Sequence, residues 1–383
     1  MGKILFISYY YGEGYAAGIQ NKRLTDALTS HGIDSKVICR FCKISDNDNI
    51  YKINFPNWKK LNFLQYKLFP GLNGIITIDQ IFWLLKVLFF LRKRFKEFEY
   101  IHIASSPFLI QLLGYYIKKR SKCKWVVQLL DPISDNNYMN TYKYGMKILK
   151  KIEKMTVKNA DLILFNNNRL LKKFQERYCD YQSKFKTLLH VTDKNIITSD
   201  LRNKKVTLYH TGSLSALRKI DFLVKSLLKL RGISDKITEL EIHFVGDCSI
   251  QDKNMVKQHK LENIILFSDY VTFNEMIALL SRADALIIID SIGSEGVFAA
   301  SKLCEYFSFQ KPILAITPKE GVTSDILKST GHLCFDVGDE ELLANELAKM
   351  LFNRKWLDDK FNKSIFENYL PENIAKNYLQ LIK

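Results

Sequence analysis

Short runs of β-branched and aromatic residues alternate along this chain with longer stretches of helical period. KILFIS (3–8), DSKVICRF (34–41), YIHIAS (100–105), KWVVQLLD (124–131) and ADLILFN (160–166) are mostly apolar without strict alternation, the pattern of parallel strands covered on both faces. Between the first two, Ile19, Leu24, Ala27 and Leu28 form the apolar face of a helix over Gly18–His31, and Gly32 supplies its stop. After a polar stretch at 191–205 the rhythm returns in KVTLYHTG (205–212), LEIHFVGD (240–247), NIILFSDY (263–270), ALIIID (285–290), PILAIT (312–317) and HLCFDV (332–337). The pattern predicts an α/β protein of two Rossmann-like, doubly wound parallel-sheet domains facing a cleft. The expected domains are 1–200 and 201–370. A last helix over 371–383, with Pro371 at its start and Ile374, Tyr378 and Ile382 on one face, is expected to pack back onto the first.

A chain of 383 residues and 44.7 kDa exceeds what one core supports, in keeping with two domains. Hydrophobic residues at 47% and charged residues at 25% exclude disordered and collagen-like classes. Seven scattered cysteines form no disulfide framework and suit a reducing cytosol. Cys39 and Cys42 have C-x-x-C spacing but no second pair to complete a zinc site. The net charge of +17 lies wholly in the first half: residues 1–200 hold 33 Lys and Arg against 16 Asp and Glu, and the remainder balances at 24 each. Such a surface favours polyanions, whether nucleic acid, anionic lipid or a phosphorylated substrate. The opening residues lack the pattern of a signal peptide. Ile81–Leu91 is too short to span a bilayer and is expected to be a helix buried against the first sheet. Tyr51–Phe69 carries aromatics without a clean period between Pro56 and Pro70. It reads as loop-like, a headgroup-level anchor for an anionic membrane surface.

Three segments carry candidate chemistry. The turn after the first strand places Gly12, Gly14 and Gly18 before a helix, where backbone can approach an anion. Its spacing is not G-x-G-x-x-G, and the next strand ends in Cys39-Arg40 with no acidic residue for a dinucleotide ribose. In the second domain a strand ends at Gly212 and is followed by Arg218-Lys219 at the next helix, two cations able to clamp a diphosphate or simply to face solvent. Farther on, a strand ends at Asp290, a small-residue loop follows, and Ala300-Ser301-Lys302 begins a helix that Ser301 is expected to cap. Glu305 shares a face with Lys302, as a ribose-binding carboxylate beside a phosphate site would, or as an ordinary surface ion pair.

The run from Val206 to Val337 resembles the C-terminal domain of retaining glycosyltransferases of family 4, which adopt the GT-B fold. YHTGSLSALRK, FVGD (244–247), EMIALLSRADALIII (275–289) and above all SKLCEYFSFQKPILAI (301–316) carry the resemblance. The first domain is similar more loosely, through KILFIS, ASSPF (104–108) and LLDPIS (129–134). The resemblance implies that Glu305 binds the donor ribose, that Arg218 binds its diphosphate, and that Gly18 belongs to the family's glycine-rich loop. Gly212, Lys219, Ala300, Ser301 and Lys302 complete the implied donor side, and Gly14 and Asp131 the acceptor side. The chain departs from the family in carrying Ser213 where a second arginine is usual, Val297 where a first glutamate is usual, and Leu130 beside Asp131 where some members have a histidine. Glu295 is the nearest substitute for that first glutamate.

The expected activity is transfer of a sugar from a nucleotide-sugar donor, UDP-linked by analogy, to a glycan or polyprenyl-diphosphate-linked acceptor in bacterial surface-polysaccharide assembly. No metal and no cofactor are expected. The expected place is cytoplasmic, peripheral on the inner face of the plasma membrane. A nucleotide-sugar 2-epimerase of the same fold is the rival enzyme. A nucleic-acid-binding protein is the rival of another class, with Tyr51, Phe55, Trp58, Phe63 and Tyr66 interleaved with Lys52, Lys59, Lys60 and Lys67; nucleic acid is not the expected partner. Asp46-Asn47-Asp48 sits in a polar loop, His102 reads as a core histidine, and His190 ends a strand before the linker.

Overall fold

The computed structural model describes the chain except residues 1, 13, 43–47, 55–58, 70–75, 105–106, 134–142, 194–202, 215–217, 291–295, 357 and 359–361. It divides into two compact units. The first takes Met1–Val191, Val297–Ala299 and Tyr369–Lys383, and the second Thr192–Gly296 and Ala300–Asn368. The boundary expected after residue 200 lies outside the described residues.

The first unit holds β1 (Ile4–Tyr11), β2 (Ser35–Cys42), β3 (Ile50–Lys52), β4 (Tyr100–Ala104), β5 (Lys124–Leu129), β6 (Leu162–Phe165) and β7 (Phe185–Thr187). They form one parallel sheet in the order β3-β2-β1-β4-β5-β6-β7, so strand order reverses between β1 and β4. Its helices are α1 (Ala16–Ser30), α2 (Lys59–Leu68), α3 (Ile78–Leu91), α4 (Gln111–Arg120), α5 (Lys143–Asn159) and α6 (Asn168–Arg177). The second unit holds β8 (Val206–Thr211), β9 (Leu240–Val245), β10 (Ile265–Ser268), β11 (Ala285–Ile289), β12 (Ile313–Ile316) and β13 (Leu333–Phe335), parallel in the order β10-β9-β8-β11-β12-β13. With them are α7 (Asp221–Ile233), α8 (Ile250–Gln258), α9 (Phe273–Arg282), α10 (Lys302–Ser308), α11 (Val322–Lys328) and α12 (Glu340–Phe352). The closing helix is α13 (Pro371–Ile382), which belongs to the first unit.

The unbroken apolar strands follow from helices on both faces. In β1, Leu5 and Ile7 enter a core with Trp83, Ile103, Leu113 and Trp125, while Ile4 and Phe6 enter another with Leu24, Leu28, Ile374 and Tyr378. On this second side α13 lies against α1 and buries Ile374, Ala375, Tyr378 and Ile382. The Tyr378 hydroxyl donates to His102 Nδ1 at 3.0 Å, and His102 Nε2 donates to Gln128 Oε1 at 3.2 Å. Both ring nitrogens are therefore engaged, and burial pushes His102 down to about 4, a neutral core histidine.

Three elements depart from the expected pattern. β3 and β7 are three residues each, too short to show as apolar runs. The segment expected to be loop-like contains α2, whose Phe63, Leu64 and Leu68 face solvent, so no buried stripe marks it. Polar contacts hold it instead: Gln65 Nε2 donates to the Ile76 carbonyl at 2.6 Å, and the Ile78 amide donates to Gln65 Oε1 at 2.9 Å. α3 was expected to be buried, yet it buries one face only (Asp79, Trp83, Leu84, Val87, Leu91) and exposes Ile81, Phe82, Leu85 and Phe89. Phe55 and Trp58 lie outside the described residues.

In the second unit one buried carboxylate fastens the two central strands at their starts. Asp284, just before β11, accepts the Thr207 amide of β8 at 2.8 Å, and Arg354, just after α12, donates Nε and Nη2 to its two oxygens at 2.9 Å each. Arg354→Ala removes the guanidinium from that buried carboxylate. It should lower the opening free energy of the β8 and β11 amides by about 2–3 kcal/mol, read by native-state hydrogen exchange. Unchanged protection would remove this bridge from the account of the fold.

Candidate functional site

The two central strands of the second sheet part before their C-terminal ends. β8 pairs with β11 only through Leu208↔Ala285 and Tyr209↔Leu286, whereas it follows β9 to Thr211↔Val245. Strand order reverses here, and in open α/β sheets such a switch point is where ligands lodge. Side chains take over where the ladder stops. His210 Nδ1 donates to the Ile287 carbonyl at 3.1 Å, and the Thr211 amide donates to the Tyr306 hydroxyl oxygen at 2.9 Å. Since a carbonyl can only accept, the His210 proton sits on Nδ1 and leaves Nε2 as an acceptor. Lys302 Nζ donates to that Nε2 at 2.9 Å.

β8 runs out in Gly212, with φ +93°, and β9 in Gly246, with φ +134°. A Cβ on Gly246 would stand 2.9 Å from the Gly212 carbonyl carbon, so only glycine permits this approach. A Cβ placed on Gly212 would lie 3.5 Å from Lys302 Nζ. The ammonium therefore stands beside side-chain-free backbone at the strand end. Tyr306, fully buried, ties α10 to Thr211, and burial holds its hydroxyl up at about 12, un-ionised.

Burial and then the nearby charge of Arg218 pull Lys302 down to about 7, against the smaller opposing influences of Asp290 and Glu305. Burial and then Lys302 hold His210 well below the usual histidine range, so it stays neutral. Arg218 is partly buried, and its Nε makes no hydrogen bond among the described residues. Asp290 accepts from Thr317 Oγ1 at 2.8 Å. Glu305 is partly buried in the first turn of α10, one helical turn from Lys302. Bare backbone beside Lys302, with the Arg218 charge near enough to lower it, suits a doubly charged anion such as a diphosphate.

The structure thus brings Gly212, Arg218, Lys302 and Glu305 to one strand end. Lys219 is exposed one residue beyond Arg218. Ala300 is buried, its carbonyl accepting the Leu303 amide at 2.9 Å. Ser301 corrects an expectation: it has helical backbone angles and its side chain caps nothing. α10 is only two turns long, so charge at this site comes from side chains more than from a helix dipole. The Ser213 hydroxyl hydrogen-bonds Tyr270. Glu295 lies outside the described residues, and so do Asp46 and Asn47. Val297 is buried in the first unit, its carbonyl accepting Asn167 Nδ2 at 3.2 Å.

In the first unit Gly14, with φ +95°, and Gly18 lie beyond the C-terminal end of β1, and exposed Asp131 follows β5. The Gly12 amide donates to the Gly18 carbonyl at 2.9 Å, and a Cβ on Gly18 would meet the Gly12 carbonyl oxygen at 2.8 Å. His190 accepts from Asn166 Nδ2 at 3.0 Å, and burial holds it down at about 4. Among the described residues no three His, Cys, Asp or Glu side chains converge as metal ligands would.

His210 and Tyr306 were not anticipated. The signal for the first was a polar ring in an otherwise buried strand, two residues before its terminal glycine. The second adjoins Glu305 directly.

No family model matches the chain, and no curated protein matches it in sequence. Solved structures do match in shape. Sucrose-phosphate synthase from Thermosynechococcus elongatus superposes with a TM-score of 0.68 at 14% identity, over 100% of this chain and 98% of that one. The pneumococcal O-GlcNAc transferase GtfA, solved in complex with UDP and GlcNAc, gives 0.66 at 12% over 100% and 98%. A putative UDP-N-acetylglucosamine 2-epimerase from Listeria monocytogenes gives 0.61 at 11% over 100% and 95%. These likenesses establish the fold, the GT-B pairing of two parallel-sheet α/β domains.

The lowered Lys302 has a measurable consequence. Its value of about 7 lies below the roughly 10.4 of an unfolded lysine, so between these pH values the unfolded chain binds a proton the native one does not. Stability contributed by this residue therefore rises with pH across that window, and Lys302→Met should flatten the rise. A diphosphate reverses the preference, because it favours the charged ammonium. At pH 8, calorimetry of inorganic pyrophosphate binding in two buffers of different ionisation enthalpy should show more protons taken up per anion by the wild type than by Lys302→Met; binding with no such difference would place the anion elsewhere.

Proposed function

We propose that this protein is a retaining glycosyltransferase, of the family 4 type, that moves a sugar from a UDP-sugar to an acceptor hydroxyl. The observation that carries the reading is Lys302 held beside Gly212 with Arg218 at its side, at the switch point of the second sheet. In this reading the donor diphosphate lies against the bare strand end. Its charge grows as the glycosidic bond to the sugar breaks, so Arg218 and Lys302 act most strongly in the transition state. These cations do the work that a metal performs elsewhere, and no metal or other cofactor is needed. Glu305 accepts the ribose hydroxyls and thereby sets where the anomeric carbon lies. His210 keeps the Lys302 ammonium in place. Gly14 and Asp131 serve the acceptor, which is a glycan or a polyprenyl-diphosphate-linked saccharide of surface-polysaccharide assembly. Such an acceptor sits at an anionic membrane face, so the enzyme works there from the cytoplasm as a peripheral protein. Support comes from a similar structure crystallised with UDP and from the basic first half of the chain.

The likeness to a putative 2-epimerase favours one second reading. Incubation with UDP-N-acetylglucosamine alone separates the two, since an epimerase forms the 2-epimer without any acceptor.

A thermal-shift panel of nucleotides should show stabilisation by UDP, and a UDP-sugar panel should identify the donor. Glu305→Ala should weaken UDP binding by about 1.5–3 kcal/mol, roughly 10- to 150-fold, with the fold intact. Arg218→Ala should reduce turnover more than donor affinity. A folded protein that no uridine nucleotide stabilises would sink the reading.

A further inference from the structure

Two neighbouring helices of the first unit turn an apolar face to solvent. Phe63, Leu64 and Leu68 on α2 and Ile81, Phe82, Leu85 and Phe89 on α3 are all exposed, Leu68 to 62% and Phe89 to 64%. Phe69, one residue past α2, is 59% exposed. A monomeric protein scatters such side chains singly; a cluster of them on two packed helices marks an interaction surface.

Polar contacts fasten both helices on their inner side. Besides the Gln65 bonds, Asn62 Nδ2 of α2 donates to Asp79 Oδ1 of α3 at 3.0 Å. Asp79 in turn is ion-paired with Arg40 of β2, which also donates to the Tyr9 hydroxyl of β1. α3 is thereby tied to the sheet, and α2 to α3.

Charge defines what the face meets. Residues 59–96 contain eight Lys and Arg and one acidic residue, Asp79, which is buried against Arg40. Lys67 lies over the Phe63 ring at 5.2 Å and Arg92 over the Phe89 ring at 3.9 Å, and Lys86, Lys93 and Lys96 are exposed nearby in sequence. Two copies meeting through this face would set Lys67, Lys86, Arg92 and Lys93 against their own kind, the nearest exposed acidic residues in sequence, Glu97 and Glu99, lying past the end of α3. A surface of lipid phosphates over acyl chains matches both features at once. Among the described residues no helix is long and apolar enough to cross a membrane.

We propose that the outward face of α2 and α3 docks on an anionic lipid bilayer, with Phe63, Leu68, Leu85 and Phe89 entering the acyl boundary and the flanking Lys and Arg meeting lipid phosphates. This deepens the reading above by giving the membrane station its surface, and it rests on that reading only for the acceptor's location. It relocates the anchor from irregular chain before Pro70 to two helices.

The test is co-sedimentation with phosphatidylcholine vesicles and with vesicles containing about one-third phosphatidylglycerol, at low and high salt. The wild type should bind the anionic vesicles at least about tenfold better, with the preference lost at high salt. Leu85→Ser with Phe89→Ser should lower binding about tenfold or more at an unchanged melting temperature. Should that pair fail to fold, Lys67→Glu with Arg92→Glu and Lys93→Glu changes exposed charge alone and should abolish the anionic preference. Equal binding to both vesicles, or undiminished binding by the folded variants, overturns the proposal. So does a wild-type dimer in sedimentation velocity that Leu85→Ser with Phe89→Ser dissociates, which would assign the face to self-association. UDP thermal shifts on the same samples keep the two readings apart: a wild type that UDP stabilises but that binds no anionic vesicles refutes docking alone, and a wild type that binds them without any UDP shift refutes the donor site alone.

Discussion

The candidate site answers to one constraint, the early end of the ladder between β8 and β11. Asp284 and Arg354 lock the starts of these strands together, while their C-terminal ends diverge after Leu286. Buried backbone groups that lose a ladder partner cost about 1–3 kcal/mol each unless something replaces it. Here the replacements are His210 for the Ile287 carbonyl and Tyr306 for the Thr211 amide. Tyr306 serves only if α10 lies under the end of β8, and that position sets Lys302 against Gly212. The chemistry of the strand end is thus a by-product of satisfying the backbone there. It also explains why the neutral tautomer of His210 is fixed: the bond that repairs the sheet leaves one nitrogen free to hold the ammonium.

The nearness of Arg218 to Lys302 is what sets this end of the sheet apart from an ordinary satisfied core. Burial first, and then the charge of Arg218, disfavour the Lys302 ammonium. Structural ion pairs end in neutrality, with each charge answered. Asp290 and Glu305 lean the other way but do not restore Lys302 to an ordinary lysine. The residual imbalance favours a ligand that brings negative charge, and the bare backbone of Gly212 and Gly246 gives it room.

The two-sheet architecture was legible because strands covered on both faces must be apolar throughout, and KILFIS or ALIIID has no other plausible use. The site was legible in part: the strand-end glycine, Arg218, Lys302 and Glu305 follow one another at spacings that a strand, a loop and a short helix convert into proximity. Ser301 was misread because serine before a helix is usually extended and capping, whereas here the backbone is already helical one residue early. α2 escaped notice because a helix that buries Gln65 and exposes Phe63 and Leu68 inverts the pattern on which recognition depends. His210 escaped because its partner lies 92 residues away. Pairwise geometry of that kind is set by topology and leaves no local trace.

The return of α13 to the first unit bears on how the chain is made. Ile374, Ala375 and Tyr378 complete a core whose other members, among them Phe6, Leu28 and Val126, are synthesised far earlier. At roughly 5–20 residues per second, the stretch of about 180 residues between Val191 and α13 delays that closure by some ten to forty seconds. During this interval Phe6 and His102 have α1 and their neighbouring strands but lack the Ile374 and Tyr378 side chains that complete their burial, so the second domain has the time to fold before the first is finished.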